Sequence, residues 1–297
     1  MTIITLTTDF GEQDGYVGII KGVIHSINPS ATVIDISHLV EPQNVLQGAF
    51  LLHISHNHFP SGTIHLAVVD PGVKTERRTI CLEVPNVGFF IGPDNGLFSY
   101  ILNGYPNAVA REPVNPAYHR HLVSSTFYGR DVYAPVAAHL SKGEPFEQVG
   151  PLVDLTEVAC FEDLWPQWEQ QGKRRVLQGY VRHIDHFGNI ISNIHPSQLE
   201  NLSAEELKGL KVYVDYNSPN SNRKVRLETT GLKANYGEGT INELIALYGS
   251  SDFLELARVS GYAAFEKLGM KVQDSSAVRF SFKQPVVDIG LPFIVEI

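Results

Sequence analysis

The feature that most constrains this chain is an apolar run that ends on a charge. In "HLAVVDPGVKTERR", residues 65–78, Leu66 to Val69 meet Asp70, Pro71 and Gly72, and then Arg77 and Arg78. A strand apolar at every position belongs in a sheet covered on both faces. The first half of the chain supplies the covers. "TIITLTTDF" and "ATVIDIS" read as strands, "RRTICLEV" and "GFFIGPD" as two more. "DGYVGIIKGVIHSIN" and "NVLQGAFLLHISHNHF" have helical periodicity, ending near Asn28-Pro29 and at Pro60, and "GLFSYILN" reads as a short helix. This β–α–β rhythm predicts an α/β fold with an open, largely parallel sheet. Ligands bind such sheets beyond the carboxyl ends of the strands, which makes Asp9, Asp70 and Asp94 candidates for one crevice. Turn chemistry alone also accounts for Asp, Pro and Gly at a strand end.

The pattern changes in the second half. "STFYGRDVYAPVAAHLSKG" reads as a loop entering a helix that Gly143 ends, and "EDLWPQWEQQGKRR" is polar with Pro166 inside. Beyond it, "VLQGYVRHIDHFGNIISNI", "GLKVYVDY", "KVRLETTGL", "ELIALYGSSDFLELARV" and "MKVQDSSAVRFSF" read as short strands between turns. The expectation is an N-terminal α/β domain over 1–165, a linker over 166–176 and a C-terminal β-barrel-like domain over 177–297. A length of 297 residues also favours two domains over one.

A net charge of −9 argues against a nucleic-acid partner. No window approaches the ~18 continuous apolar residues of a membrane span. The N-terminus lacks the basic start of a signal peptide, and Cys81 and Cys160 read as buried reduced thiols, so a cytoplasmic setting is expected. His53, His56 and His58 in "HISHNH" do not share one helix face and read as a partly exposed helix end. A metal-dependent phosphohydrolase built on Asp9, Asp14 and Asp94 lacks a supporting His-carboxylate cluster, so no metal is expected.

Two stretches could hold a nucleoside. Asp9 could accept hydrogen bonds from vicinal hydroxyls, as acidic residues do with ribose. In "DHFGN", residues 185–189, a purine could stack on Phe187 while Asn189 reads its edge. Each alone is as well explained by turn structure, as is "GPDNG" at residues 92–96.

In combination, "TTDFG…YVG…KGVI", "VVDPGV.TERR", "GPDNGL", "TFYGRD..AP.AAHL" and "DHFGN…SNI" resemble the S-adenosylmethionine (SAM) hydrolases, or SAM hydroxide adenosyltransferases. These are relatives of fluorinating and chlorinating enzymes acting on the same substrate. The resemblance spans nearly the whole chain. It implies a homotrimer with active sites between subunits, no cofactor, and hydrolysis of SAM to adenosine and methionine. Displacement at ribose C5′ expels a neutral thioether, so the demand falls on the attacking water. Asp70 would take its proton or a hydrogen bond; Arg77, which stays protonated, would stabilise developing hydroxide. The resemblance assigns Asp9 to the ribose hydroxyls, Phe187 and Asn189 to the nucleoside, Asp185 to the methionine ammonium, Ser250 to its carboxylate and Phe127 to the chamber wall.

Four positions, Tyr128, Asp70, Gln43 and Ser251, depart from the hydrolase pattern or bear on the alternatives. Tyr128 stands where the hydrolases have His, and a phenol with pKa near ~10 orients water better than it deprotonates it. Tyr128-Gly129 resembles the chlorinating branch, whereas Asp70 replaces a Tyr of the halogenating enzymes and would repel a halide. Gln43 falls where fluorinating enzymes carry a flanking aromatic, and Ser251 where halogenating relatives have Arg. Hydrolysis is the expected activity, against a chloride-dependent halogenase of the same fold or a SAM-binding protein with little turnover. Arg130 and Asp131 could equally be an ion pair at a helix start.

Overall fold

The computed structural model describes residues 2–72, 77–162, 164–217, 224–260 and 289–297. The chain divides into two compact units, Met1–Glu162 and Asp163–Ile297.

The first unit is built on a seven-stranded sheet. Its strands are β1 (Ile3–Thr8), β2 (Thr32–Ser37), β3 (Thr63–Val68), β4 (Thr79–Val84), β5 (Gly88–Pro93), β6 (Val109–Arg111) and β7 (Leu152–Val153), in the order β2-β1-β3-β5-β4-β6-β7. β2, β1, β3 and β5 run parallel, while β4 is antiparallel to both β5 and β6, and β7 to β6. The expected largely parallel sheet is therefore present, with an antiparallel edge. β3 is buried at every position, Thr63 and His65 included, as a strand covered on both faces is.

Helices α1 (Tyr16–Ile27), α2 (Val45–His56), α3 (Ser99–Gly104) and α4 (Ala134–Ser141) accompany the sheet. α1 turns Ile20, Val23 and Ile24 inward, the i, i+3, i+4 stripe of an amphipathic helix, onto a core with Ile4, Leu66 and Val136. α2 begins where the Asn44 side chain accepts from the Gln47 amide at 3.0 Å. Gly48 lets α2 approach the end of β3, because a Cβ there would lie 2.8 Å from Val69 Cγ2. Strand order puts Asp9, Asp70 and Asp94 just past the carboxyl ends of three adjacent parallel strands, β1, β3 and β5.

In the second unit every pairing between strands is antiparallel among the described residues, and one isolated bridge, Leu232 with Ala246, is parallel. The strands are β8 (Gln167–Gln171), β9 (Arg174–Ile184), β10 (Ile190–Ser192), β11 (Lys211–Asn217), β12 (Lys224–Thr230), β13 (Leu244–Tyr248), β14 (Leu254–Arg258) and β15 (Pro292–Glu296). They follow the path β12-β11-β15-β9-β10-β14-β13, with β8 on the edge of β9. Just past β12, Lys233 N–H donates to the Ala246 carbonyl of β13 at 2.8 Å, so the sheet curls until it is nearly closed. Alternate residues of β11, Val212, Val214 and Tyr216, point into a core with Leu177, Val181 and Phe293.

Three expectations need comment. Residues 166–176, read from sequence as a linker, hold β8 and the start of β9 in a hairpin of the second unit. The alternation that marks a strand is hard to see in "QWEQQ", since β8 is exposed at every position. Cys81 is buried as expected, but Cys160 is exposed. The strand read in "MKVQDSSAVRFSF" lies outside the described residues. Among the described residues, no helix is long and apolar enough to cross a membrane.

Candidate active site

The carboxylate at the end of β3 is met by one of the two guanidiniums that follow it. Arg77 Nε donates to Asp70 Oδ1 at 2.8 Å while Arg77 Nη2 closes on Asp70 Oδ2, a two-pronged pair. The Asp70 side chain is 3% exposed, so the pair is withdrawn from solvent. Asp70 Oδ1 also accepts from the Gly72 amide at 3.1 Å, which ties the Pro-Gly turn to the carboxylate. Arg77 Nη1 donates to the Arg78 carbonyl at 2.9 Å and to the Tyr133 hydroxyl at 3.3 Å. Burial opposes the charge of Arg77, yet Tyr133 and Asp70 raise its pKa above the ordinary arginine value.

Arg78 takes no part in this pair. Its guanidinium spans Asp94 Oδ2 at 3.1 Å and Glu157 Oε2 at 3.0 Å. Asp94 Oδ1 in turn accepts from the Ala159 amide at 2.8 Å. Asp94 shares the sheet edge with Asp70 but is committed to holding the 157–161 segment.

Tyr128 and Arg77 line one cavity of about 310 Å³, together with Thr79, His119 and Val132 among others. Tyr128 caps a π-helical turn, Gly129–Tyr133, that leads into α4. Such wide turns recur at functional sites. The turn brings the buried Tyr133 ring edge-on to Tyr128, with centroids 6.4 Å apart. Arg130 and Asp131 form an ion pair at 2.7 Å, and Asp131 also accepts from Ser124 N–H, the structural one of the two readings open to them.

Asp9 follows β1. Its Oδ2 accepts from the Gln43 amide at 2.8 Å, and Gln43 adopts a left-handed φ of 68° to present it. Burial raises the Asp9 pKa; the Gln43 amide opposes this and the charge of Asp70 adds to it. The structure thus brings Asp9 and Asp70 within electrostatic reach. Phe127 packs with Phe10 and Tyr16 in a three-ring cluster, centroids 6.0 Å and 5.3 Å away.

The second unit carries the other candidates. The 185–189 loop is organised by its first residue. Asp185 Oδ1 accepts from the amides of Phe187 and Asn189, both at 2.9 Å, and Gly188 supplies the left-handed φ of 77°. Phe187 is left 68% exposed, set edge-to-face with the His186 ring at 5.6 Å between centroids, while Asn189 is buried beside it. Asn189 Nδ2 donates to Asp185 Oδ2 at 2.9 Å and to the Tyr236 hydroxyl at 3.1 Å. Tyr236 donates to Glu255 Oε1 at 2.7 Å. Glu255 lies on β14 and is 3% exposed; burial raises its pKa. Ser250 lies in the exposed turn between β13 and β14, with no hydrogen bond to Asp185 or Asn189 among the described residues. Ser251 Oγ is buried without a partner among the described residues.

Sequence reasoning missed Tyr133, Tyr236 and Glu255. Glu255 had the same signal as Asp70, a lone carboxylate within an apolar strand, "FLELA". Tyr133 and Tyr236 had none, because their roles come from partners distant in sequence. His56, expected partly exposed, is 2% exposed, with Nε2 at 3.1 Å from the Tyr105 hydroxyl. Among the described residues no three His, Cys, Asp or Glu are grouped to hold a metal.

The family models for the N-terminal and C-terminal domains of SAM hydroxide adenosyltransferases match residues 4–150 and 179–277. An (R)-S-adenosyl-L-methionine hydrolase from Methanocaldococcus jannaschii is 38% identical over 67% of this chain and 69% of its own. A fluorinase from Nocardia brasiliensis is 30% identical over 91% of this chain and 96% of its own. The crystal structure of an uncharacterized conserved protein from Thermotoga maritima superposes with a TM-score of 0.81 at 32% identity, covering 98% of this chain and 99% of that one.

Proposed function

This chain belongs to the SAM hydroxide adenosyltransferase family, and from that premise we propose that it hydrolyses (R)-S-adenosyl-L-methionine to adenosine and L-methionine. The observation that carries the reading is the buried, two-pronged Asp70–Arg77 pair at the carboxyl end of β3. Water attacks ribose C5′, the new C–O bond forms as the C–S bond breaks, and the electron pair leaves with sulfur as a neutral thioether. The water proton passes to Asp70. Arg77 stays charged and donates to the water oxygen as negative charge builds there. Holding the water in line supplies several kcal/mol of barrier lowering.

Tyr128, in the cavity that Arg77 lines, acts as a hydrogen-bonding orienter of the water. Asp9 receives the ribose hydroxyls, and Phe127 walls the reaction chamber. Phe187 stacks on the base, Asn189 reads its edge, Asp185 meets the ammonium of methionine and Ser250 its carboxylate. The remaining parts of the reading rest on family resemblance: a cytoplasmic homotrimer with active sites between subunits, needing no metal or organic cofactor.

A carboxylate at position 70 repels a halide and accepts from water, which favours hydrolysis over halogenation. The test is turnover of SAM in ¹⁸O-water with and without chloride, read by mass spectrometry. Adenosine bearing ¹⁸O at the 5′ position under both conditions is expected. Formation of 5′-chloro-5′-deoxyadenosine, or SAM bound and unconverted, overturns the reading.

A further inference from the structure

Asn189 can present either of two opposite patterns to a ligand, because its carbonyl accepts and its amide nitrogen donates. Which one it presents is settled by its neighbours. Glu255 Oε1 receives a hydrogen bond from the Tyr236 hydroxyl at 2.7 Å. A hydroxyl has one proton, and this one is spent on the carboxylate. Toward Asn189 the phenol oxygen can therefore only accept, which turns the amide nitrogen to it at 3.1 Å. Asp185 Oδ2, also an acceptor, takes the other amide proton at 2.9 Å. Both protons are used, and among the described residues nothing donates to Asn189 Oδ1.

We propose that Tyr236 and Glu255 are positioning residues that lock Asn189 with its carbonyl as the ligand-facing group, so that the site selects a 6-amino purine over a 6-oxo purine. The inference rests on the reading of Asn189 as the residue at the base edge. An exocyclic amine donates to Oδ1, whereas a 6-oxo group turns a lone pair against it and leaves both oxygens unsatisfied. A rotated Asn189 reverses the preference; the Asp185 carboxylate on one side and the Glu255–Tyr236 relay on the other make rotation unfavourable.

The packing explains why a carboxylate holds this position inside an apolar strand. Glu255 is 3% exposed, and a Cβ at Gly249 would run into its Oε2, so Gly249 makes room for it. Tyr236 is 42% exposed and joins the buried acid to the exposed loop. A buried carboxylate is unfavourable unless it accepts hydrogen bonds, and the Tyr236 hydroxyl supplies one.

The experiment is calorimetric binding of adenosine and inosine to the intact protein and three variants. The ratio of the two affinities cancels any general loss of affinity, so a merely structural role would not move it. The wild type is expected to favour adenosine by about tenfold or more, as sites that hydrogen-bond a polar substituent do. Tyr236→Phe removes the acceptor facing Asn189, and Glu255→Leu frees the phenol proton to turn toward Asn189. Both are expected to lower the ratio severalfold, Asp185 still holding one amide proton. Glu255→Gln keeps an acceptor oxygen for Tyr236 and is expected to retain the wild-type ratio. Ratios unchanged in both Tyr236→Phe and Glu255→Leu overturn the inference and leave the hydrolase reading standing. A wild type that binds neither nucleoside overturns the inference, while the turnover of SAM in ¹⁸O-water decides the hydrolase reading separately.

Discussion

The turn after β3 and the loop after β9 begin with the same local device and end in different chemistry. In each, an aspartate side chain accepts from the amide two residues on, Gly72 in one case and Phe187 in the other. Asp70 then closes on a guanidinium, while Asp185 closes on the neutral amide of Asn189. The first loop stores charge in a nearly dry place, suited to stabilising charge that develops during a reaction. The second fixes hydrogen-bond direction around an exposed aromatic ring, suited to recognising something already formed. The turn is common to both; the partner decides the use.

Identical substitutions in the two loops test that difference. Asn at either position keeps the acceptor oxygen that closes the turn and removes the negative charge. Asp70→Asn should lower kcat by about 10³-fold, on the order of 4 kcal/mol, with KM little changed, as loss of an interaction made in the transition state does. Steady-state kinetics with SAM measure it. Asp185→Asn should raise KM by about tenfold with kcat nearly unchanged, the size expected for one hydrogen bond to a charged group. If Asp185→Asn depresses kcat as Asp70→Asn does, the division between the loops is wrong.

Much of this arrangement was legible in the sequence, for reasons that also mark where reading fails. The apolar run 66–69 could only be a covered strand, and the β–α–β rhythm then placed Asp9, Asp70 and Asp94 on one edge. Residue type alone does not tell which arginine of "TERR" turns to Asp70; the family resemblance is what singles out Arg77. Arg77 does turn there, and Arg78 is drawn away by Asp94 and Glu157, a partner 79 residues further along. Asp94, a crevice candidate by topology, has its charge committed to structure by Arg78 and the Ala159 amide. β8 was read as a linker because a strand exposed at every position has no buried face to print a period on the sequence. The lone carboxylate of Glu255 marks "FLELA", but its relay to Tyr236 is a contact between distant segments, which no local pattern encodes.

The two units also differ in how they store ionisable groups, and acid should separate them. In the first, burial lowers the pKa of His56, His65, His119 and His139, His65 to about 3. His65 is 1% exposed, between Thr5 and the ring of Phe90. Such a histidine takes up a proton more readily when unfolded. Its penalty is therefore absent well above pH 6.5 and grows as pH falls below it, by about 1.4 kcal/mol between pH 7.5 and 5.5 for each strongly depressed group. In the second unit His183 behaves alike; the raised pKa of Glu255 there, like that of Asp9 in the first unit, has the opposite sign, since folding favours its protonation, and it faces one depressed histidine rather than four. Both tryptophans, Trp165 and Trp168, lie in the second unit, so their fluorescence follows its unfolding while far-UV circular dichroism follows both. Urea titrations at pH 7.5 and 5.5 should show the dichroism transition moving to lower urea further than the fluorescence transition. Coincident shifts at both pH values would mean that the units unfold as one and that their separate titrations cannot be told apart in stability.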